Sequence, residues 1–243
     1  MMVSVESSPE ACLELEPMTP ARKWLIATLT MVVAVVVSYA WLDRPIALFA
    51  HAQTQQFALF ENLTLIPELI APLVIAAFFL LGLHAVTGKP MSRPLTAIVL
   101  ATVSLAVASA VKDQLKFAFG RTWPETWIRD NPSFIRDGVF GFNPFHGGSG
   151  FSSFPSGHTT ATCAVMSVLW ICYPRYRIAY ALCVVAVAVG LIGADFHFLS
   201  DVIAGAYLGA LVGWLIVVLW DLGYRPIGSS TSARPRESGG PER

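Results

Sequence analysis

The sequence predicts an all-α polytopic membrane protein with six transmembrane helices in a bundle, and its composition and the spacing of its apolar residues predict this. Hydrophobic residues fill 55% of the 243 positions and charged residues 13%, with a mean hydropathy of +0.60. That leaves too little polar surface for an ordinary water-soluble domain. The apolar residues collect into six stretches: Trp24 to Leu42, Leu69 to Val86, Leu95 to Val111, Thr159 to Tyr173, Ile178 to Ala194 and Val202 to Trp220. None contains Lys, Arg or Glu, and most approach the ~20 residues that a bilayer crossing needs.

The chain ends read differently. Residues 1–22 carry Glu6, Glu10, Glu14 and Glu16 among Pro9, Pro17 and Pro20 without an apolar period, and are expected to be a disordered cytoplasmic segment. A cleaved leader is not expected, because this segment is acidic and the first apolar stretch starts late. Residues 222–243, rich in Ser, Gly, Pro and Arg, are expected to be a disordered cytoplasmic tail, which leaves 23–221 as the membrane domain. Cys12, Cys163, Cys172 and Cys183 show no paired spacing, so neither disulfides nor a metal cluster is expected.

Basic residues set the expected orientation. With both termini in the cytoplasm, ten of the sixteen Lys and Arg fall on the inner side: Arg22, Lys23, Lys89, Arg93, Arg175, Arg177, Arg225, Arg234, Arg236 and Arg243. Five of the remaining six, Lys112, Lys116, Arg121, Arg129 and Arg136, lie in one segment between the third and fourth stretches. A net charge of +0 thus hides a basic outer segment, which calls for an anionic ligand. No nucleic-acid partner is expected. The expected setting is a bacterial inner membrane, with the site on its periplasmic face.

Two short runs carry the chemistry. Phe154-Pro155-Ser156-Gly157-His158 opens the fourth apolar stretch. A Ser-Gly-His start supplies unpaired backbone N–H groups, a helix dipole and a proton donor for a phosphate. The plainer reading of Ser156 is an ordinary N-cap. His197-Phe198-Leu199-Ser200-Asp201 puts a histidine and a carboxylate four residues apart, so that on a helix Asp201 can hold the imidazole while the other ring nitrogen attacks. The plainer reading of Asp201 is an acid complementing a helix N-terminus, which leaves His197 unexplained. Lys112 and Lys116 are one turn apart before a plausible C-cap at Gly120, and Arg121 follows. They could each complement the helix end or anchor at headgroups, but three cations so close favour a phosphate clamp. The aromatics from Phe117 to Phe154 read as an interfacial belt, or as the entrance for an acyl or prenyl chain.

Lys116 with Gly120-Arg121 and Pro124, then Pro155-Ser156-Gly157-His158, then His197 and Asp201, in this order and spacing, resemble the type 2 phosphatidic acid phosphatase superfamily. The resemblance runs from about the third helix to the sixth. It implies that His197 is a nucleophile forming a phosphohistidine, that His158 protonates the leaving group, that Asp201 orients His197, and that no metal or other cofactor takes part. The first and third motifs are atypical. Where the family has Lys, six residues and Arg-Pro, this chain reads Trp123-Pro124, with Arg121 two residues earlier. Where the family has Ser-Arg ahead of the nucleophile, it reads Gly190-Leu191. Arg121 is the expected substitute for the first arginine and Lys112 for the second.

The function expected is that of a metal-independent phosphatase acting on a lipid phosphate or pyrophosphate in contact with membrane lipids. Ser156, Gly157, Lys112, Lys116 and Arg121 would bind the phosphate. A lipid phosphotransferase using the same residues, and a non-catalytic binder of phospholipid head groups, stay open as alternatives. A channel or transporter is disfavoured, because no row of intramembrane charges marks an ion path.

Overall fold

The computed structural model describes residues 19–89, 91–127 and 129–224. The expected segments 1–22 and 222–243 fall largely outside them. The described part of the first is Thr19, which caps the opening helix by accepting the Arg22 N–H at 3.3 Å, and the start of that helix at Pro20. Proline suits this place because the missing N–H would have no acceptor in the first turn.

The described chain is helical: α1 (Pro20–Val37), a π-helical turn (Ser38–Leu42), α2 (Asp43–Gln53), α3 (Ala58–Thr64), α4 (Ile66–Val86), α5 (Arg93–Phe119), the short α6 (Phe134–Asp137), α7 (Gly157–Cys172), α8 (Arg177–Gly193) and α9 (Leu199–Tyr224). No strand forms among the described residues. Isolated bridges join Arg121 to Phe142 and Ser152, and Trp123 to Ser133.

Among the described residues, four helical segments are long and apolar enough to cross a membrane: Pro20–Gln53, Arg93–Phe119, Pro174–Gly193 and Leu199–Leu222. The fourth expected span is the shorter apolar helix Gly157–Cys172, and the second lies within α4, which runs unbroken from Ile66 to Val86 with Pro72 in its interior. Tyr173-Pro174 stops α7 after sixteen residues. Residues between the first two expected spans also form an element that periodicity did not reveal, the short α3. It packs on α8, where Gly190 and Gly193 leave room: a Cβ at Gly190 would lie 2.7 Å from Leu63 Cβ, and one at Gly193 would meet the Phe60 ring at 2.2 Å.

The largest helix contact is between α7 and α9. It depends on three glycines four residues apart on α9. A Cβ at Gly205 would lie 2.6 Å from Ser156 O, one at Gly209 2.4 Å from Thr160 O, and one at Gly213 2.9 Å from Ala164 O. Small residues at this spacing let two helix backbones touch, which supplies dispersion contact where lipid removes the hydrophobic drive between helices. Ala108 of α5 joins Ala164, Leu208 and Val212 in the core beside this seam. The close approach carries the Ser156 N–H to Asp201 O at 3.0 Å, so the starts of α7 and α9 are locked together. Asp43, Gly120, Ser156 and Ser200 therefore gather at one end of the bundle. Arg93, which donates to Cys172 O at 2.6 Å, marks the other.

Candidate active site

At the gathered end a cavity of about 360 Å³ is lined by Lys112 and Lys116 of α5, Gly157 and His158 of α7, His197, Trp123 and Trp127, with Pro67 and Glu68 of α4. α5 ends where Gly120 takes the left-handed conformation (φ 57°) and donates to Lys116 O at 2.8 Å. A Cβ at Gly120 would lie 1.8 Å from Asn143 O, so glycine is required there on two counts. Both lysines reach the start of α7: a Cβ at Gly157 would lie 3.8 Å from Lys112 Nζ and 3.9 Å from Lys116 Nζ. Lys116 donates to Ser152 O at 2.5 Å and lies 5.5 Å over the Trp123 ring, while Lys112 pairs with Asp113 at 2.8 Å.

His197 stands on the turn between α8 and α9 and is 5% exposed. Its Nδ1 is 3.4 Å from Asp201 Oδ2 and 3.4 Å from Ser153 Oγ. Burial pushes the imidazole down to about 4, against the opposing pull of Asp201, so the ring is neutral at pH 7. Trp123 packs against the ring at 5.0 Å between centroids. His158, across the cavity, is about a third exposed, with Nε2 3.7 Å from Glu68 Oε1.

Asp201 is fully buried and its four contacts are all donors. Ser153 Oγ donates to Oδ2 at 2.6 Å, Phe198 N–H to the same oxygen at 3.1 Å, His197 approaches it, and Arg121 Nη1 donates to Oδ1 at 2.5 Å. Arg121 is the correction here. It was expected to grip substrate phosphate, but it is fully buried behind Asp201. Its Nη1 also donates to Ser200 Oγ at 2.5 Å and its Nη2 to Asp43 Oδ2 at 2.6 Å. The rings of Tyr39, Phe140, Phe142 and Phe198 surround the guanidinium, their centroids 4.4 to 5.5 Å away. The left-handed Gly120 and the bridges of Arg121 to Phe142 and Ser152 turn the side chain inward. Two of the aromatics read as a belt, Phe140 and Phe142, thus belong to this cage, while Phe117 and Phe145 remain exposed.

Ser156 is likewise placed differently from the fuller reading. Its hydroxyl caps α7, accepting from Thr159 N at 3.4 Å, and its N–H is spent on Asp201 O. The N–H groups of Gly157 and His158 are the first two of the helix, so they have no intrahelical acceptor. Trp123, where the family pattern has arginine, forms a wall of the cavity. Leu191 is fully buried with Val187 and Val202, and its carbonyl accepts from Phe196 N at 2.9 Å and His197 N at 3.3 Å. An arginine there would be driven into an apolar cluster. Among the expected phosphate ligands, the structure brings Lys112, Lys116 and Gly157 to the cavity and places Arg121 and the Ser156 hydroxyl elsewhere.

Asp43, Ser153 and Ser200 were missed in the sequence. Asp43 accepts from Ser200 N at 3.0 Å and from Ser200 Oγ as well as from Arg121. The available signal was an acid directly ending an apolar stretch, at Leu42-Asp43, where the π-helical turn now aims it inward. Asp195, two residues before His197, takes a left-handed backbone (φ 58°) and faces His51 and Glu125.

A family model described as the PAP2 superfamily matches residues 97–223. Two proteins named lipid A 1-phosphatase, from Rhizobium johnstonii and Rhizobium etli, are 37% and 35% identical over 106 residues, which is 44% of this chain and 41% and 43% of theirs. The matched stretch thus spans about two fifths of those relatives' own length. The crystal structure of a transmembrane PAP2-type phosphatidylglycerolphosphate phosphatase from Bacillus subtilis aligns with a TM-score of 0.53 at 17% identity, covering 84% of this chain and 98% of that one, which is a likeness of fold. With the family match running from α5 through α9 and containing every residue of the cavity except those of α4, this chain belongs to the PAP2 superfamily.

Proposed function

We propose that this protein is an integral membrane phosphatase that hydrolyses a lipid phosphate through a phosphohistidine at His197. The observation that carries the reading is a buried imidazole, backed by a pinned carboxylate, opening onto a cavity with two lysines at a helix N-terminus. Asp201 holds Nδ1, leaving Nε2 as the attacking nitrogen. Nε2 attacks phosphorus in line, the N–P bond forms as the P–O bond to the lipid breaks, and His158 protonates the departing oxygen. Water then attacks phosphorus, the N–P bond breaks, and His158 takes the water's proton. Lys112, Lys116 and the Gly157 and His158 N–H groups hold the equatorial oxygens as their charge redistributes.

No step passes through a metal ion, since two ammonium groups at the cavity repel a cation that would sit beside the phosphate. The site faces the non-cytoplasmic side, because Arg22, Lys23, Lys89, Arg93, Arg175 and Arg177 cluster at the opposite end of the bundle. The relatives' names make lipid A the first substrate to try, ahead of phosphatidic acid and a prenyl pyrophosphate.

The test is phosphate release from these three by purified full-length protein in detergent, beside His197→Gln. The expected result is release from at least one by the wild type and none by the variant. Absence of release from all three, or undiminished release by His197→Gln, would overturn the proposal. Appearance of the phosphate on an added acceptor lipid instead of in water would make the enzyme a phosphotransferase.

A further inference from the structure

Beside the cavity, three residues from distant parts of the chain converge. His51, in the last turn of α2, places Nδ1 2.9 Å from Glu125 Oε2 and 3.8 Å from Asp195 Oδ2. One nitrogen and two carboxylate oxygens lie within 4.8 Å of one another. Asp195 is 1% exposed, and its Oδ2, aimed at His51, has no hydrogen-bond partner. A carboxylate oxygen buried without a donor is costly. Its left-handed backbone adds strain that only a well-determined surrounding sustains.

We propose that His51, Glu125 and Asp195 bind a divalent transition-metal ion, zinc or manganese, that ties the turn carrying His197 to the outer loop. The donor set decides the class of ion. One imidazole with two carboxylates suits zinc or manganese, whereas magnesium and calcium favour all-oxygen surroundings. Metal–ligand bonds of roughly 2.0–2.2 Å need donors that are close but not in contact, as here after a small opening of the His51–Glu125 pair. His51 is 42% exposed, which gives an ion entry from solvent and leaves coordination positions for water. The electrostatics agree: burial and then the Glu125 charge push the Asp195 carboxyl up to about 7, a repulsion that a cation relieves.

The ion's role follows from what the ligands carry. Asp195 leads into Phe196 and His197. Glu125 lies between Trp123 and Trp127, which wall the cavity, and Trp127 stacks on Phe196 at 5.1 Å. Thr54 Oγ1, just beyond α2, already donates to Gly193 O at 2.8 Å. An ion here would complete a clasp among α2, the loop after α5 and the α8–α9 turn, outside the cavity where the proposed chemistry occurs.

The test is equilibrium binding of zinc and of manganese to tag-free, chelator-stripped full-length protein in detergent, with thermal unfolding read in parallel. The expected result is about one equivalent of one of these ions and a rise in unfolding temperature on adding it. His51→Ala and Asp195→Asn should each weaken binding on the order of 100-fold and lose the thermal rise. His51 is exposed enough for its variant to fold even if Asp195→Asn does not. Binding by wild type that survives His51→Ala, or no stoichiometric binding of either ion, overturns the proposal. So does Asp195→Asn raising the unfolding temperature of metal-free protein that binds no ion, which would mean that Asp195 and Glu125 share a proton. None of these readouts depends on turnover, so they stand or fall apart from the phosphatase proposal.

Discussion

His197 and His158 both face the same cavity and both have a carboxylate for company, yet the two pairs are built differently. Asp201 is fully buried, and donors from Ser153, Phe198, His197 and Arg121 occupy both of its oxygens. Glu68 is 62% exposed and approaches His158 at 3.7 Å, beyond a normal hydrogen bond. The proposed role of His197 as nucleophile requires one tautomer and one direction through the reaction, which a clamped partner would supply. The proposed role of His158, giving up a proton and taking one back, requires contact with water, which a partner at the surface would allow. The clamp extends a further layer, since Arg121 is itself held by Asp43 and Ser200.

The sharpest way to break this contrast is at the clamp. Asp201→Asn keeps the shape but presents the wrong donor to His197, and kcat should fall on the order of 10³ to 10⁴-fold, as for other histidines that lose an orienting carboxylate. Arg121→Ala leaves two carboxylates buried without their cation and should destabilise the fold by about 3–5 kcal/mol. Thermal unfolding in detergent reads that loss, and an unfolding temperature equal to wild type would mean that Arg121 is not the brace described.

A smaller effect belongs to the lysines. Lys112→Ala removes one of the two ammonium groups near Gly157 and should lower kcat/KM on the order of 100-fold, comparable to losing one donor to a developing oxyanion. Arg136→Ala should change it by less than about threefold, since Arg136 is exposed and pairs with Asp130 and Asp137 within its own loop. The reverse ranking would move the cation site into the loop. The smallest effect is expected from Glu68→Gln, within about fivefold in kcat, because an exposed acid contributes little through solvent. A loss as large as that of Asp201→Asn would erase the distinction between the two pairs.

What was legible in the sequence is what helical spacing encodes. Lys112 and Lys116 share a face because their segment is helical, so their convergence needed little beyond the sequence, whereas His197 meets Asp201 from the turn before α9 and not from the helix that their spacing suggested. The lock of α9 on α7 was not read from the sequence, because the role of Gly205, Gly209 and Gly213 shows only against the α7 backbone that they meet. The direction of Arg121 was not legible, because it depends on a left-handed glycine and on an acid 78 residues away at Asp43. The same holds for His51, Glu125 and Asp195, which share no local period and meet only once the end of α2, the loop after α5 and the α8–α9 turn come together. Six apolar stretches were visible, but not how a short α3 fills the space beside Gly190.

The proposed mechanism requires a covalent bond between phosphorus and His197, and trapping that bond tests it most directly. Wild-type protein mixed with a lipid phosphate labelled in phosphorus, then quenched rapidly in alkali, should retain label in a bond that acid releases, on a peptide containing His197. His197→Gln should retain none. Label retained by His197→Gln, or wild-type turnover without any trapped label when hydrolysis of the intermediate is made limiting, would contradict the claim.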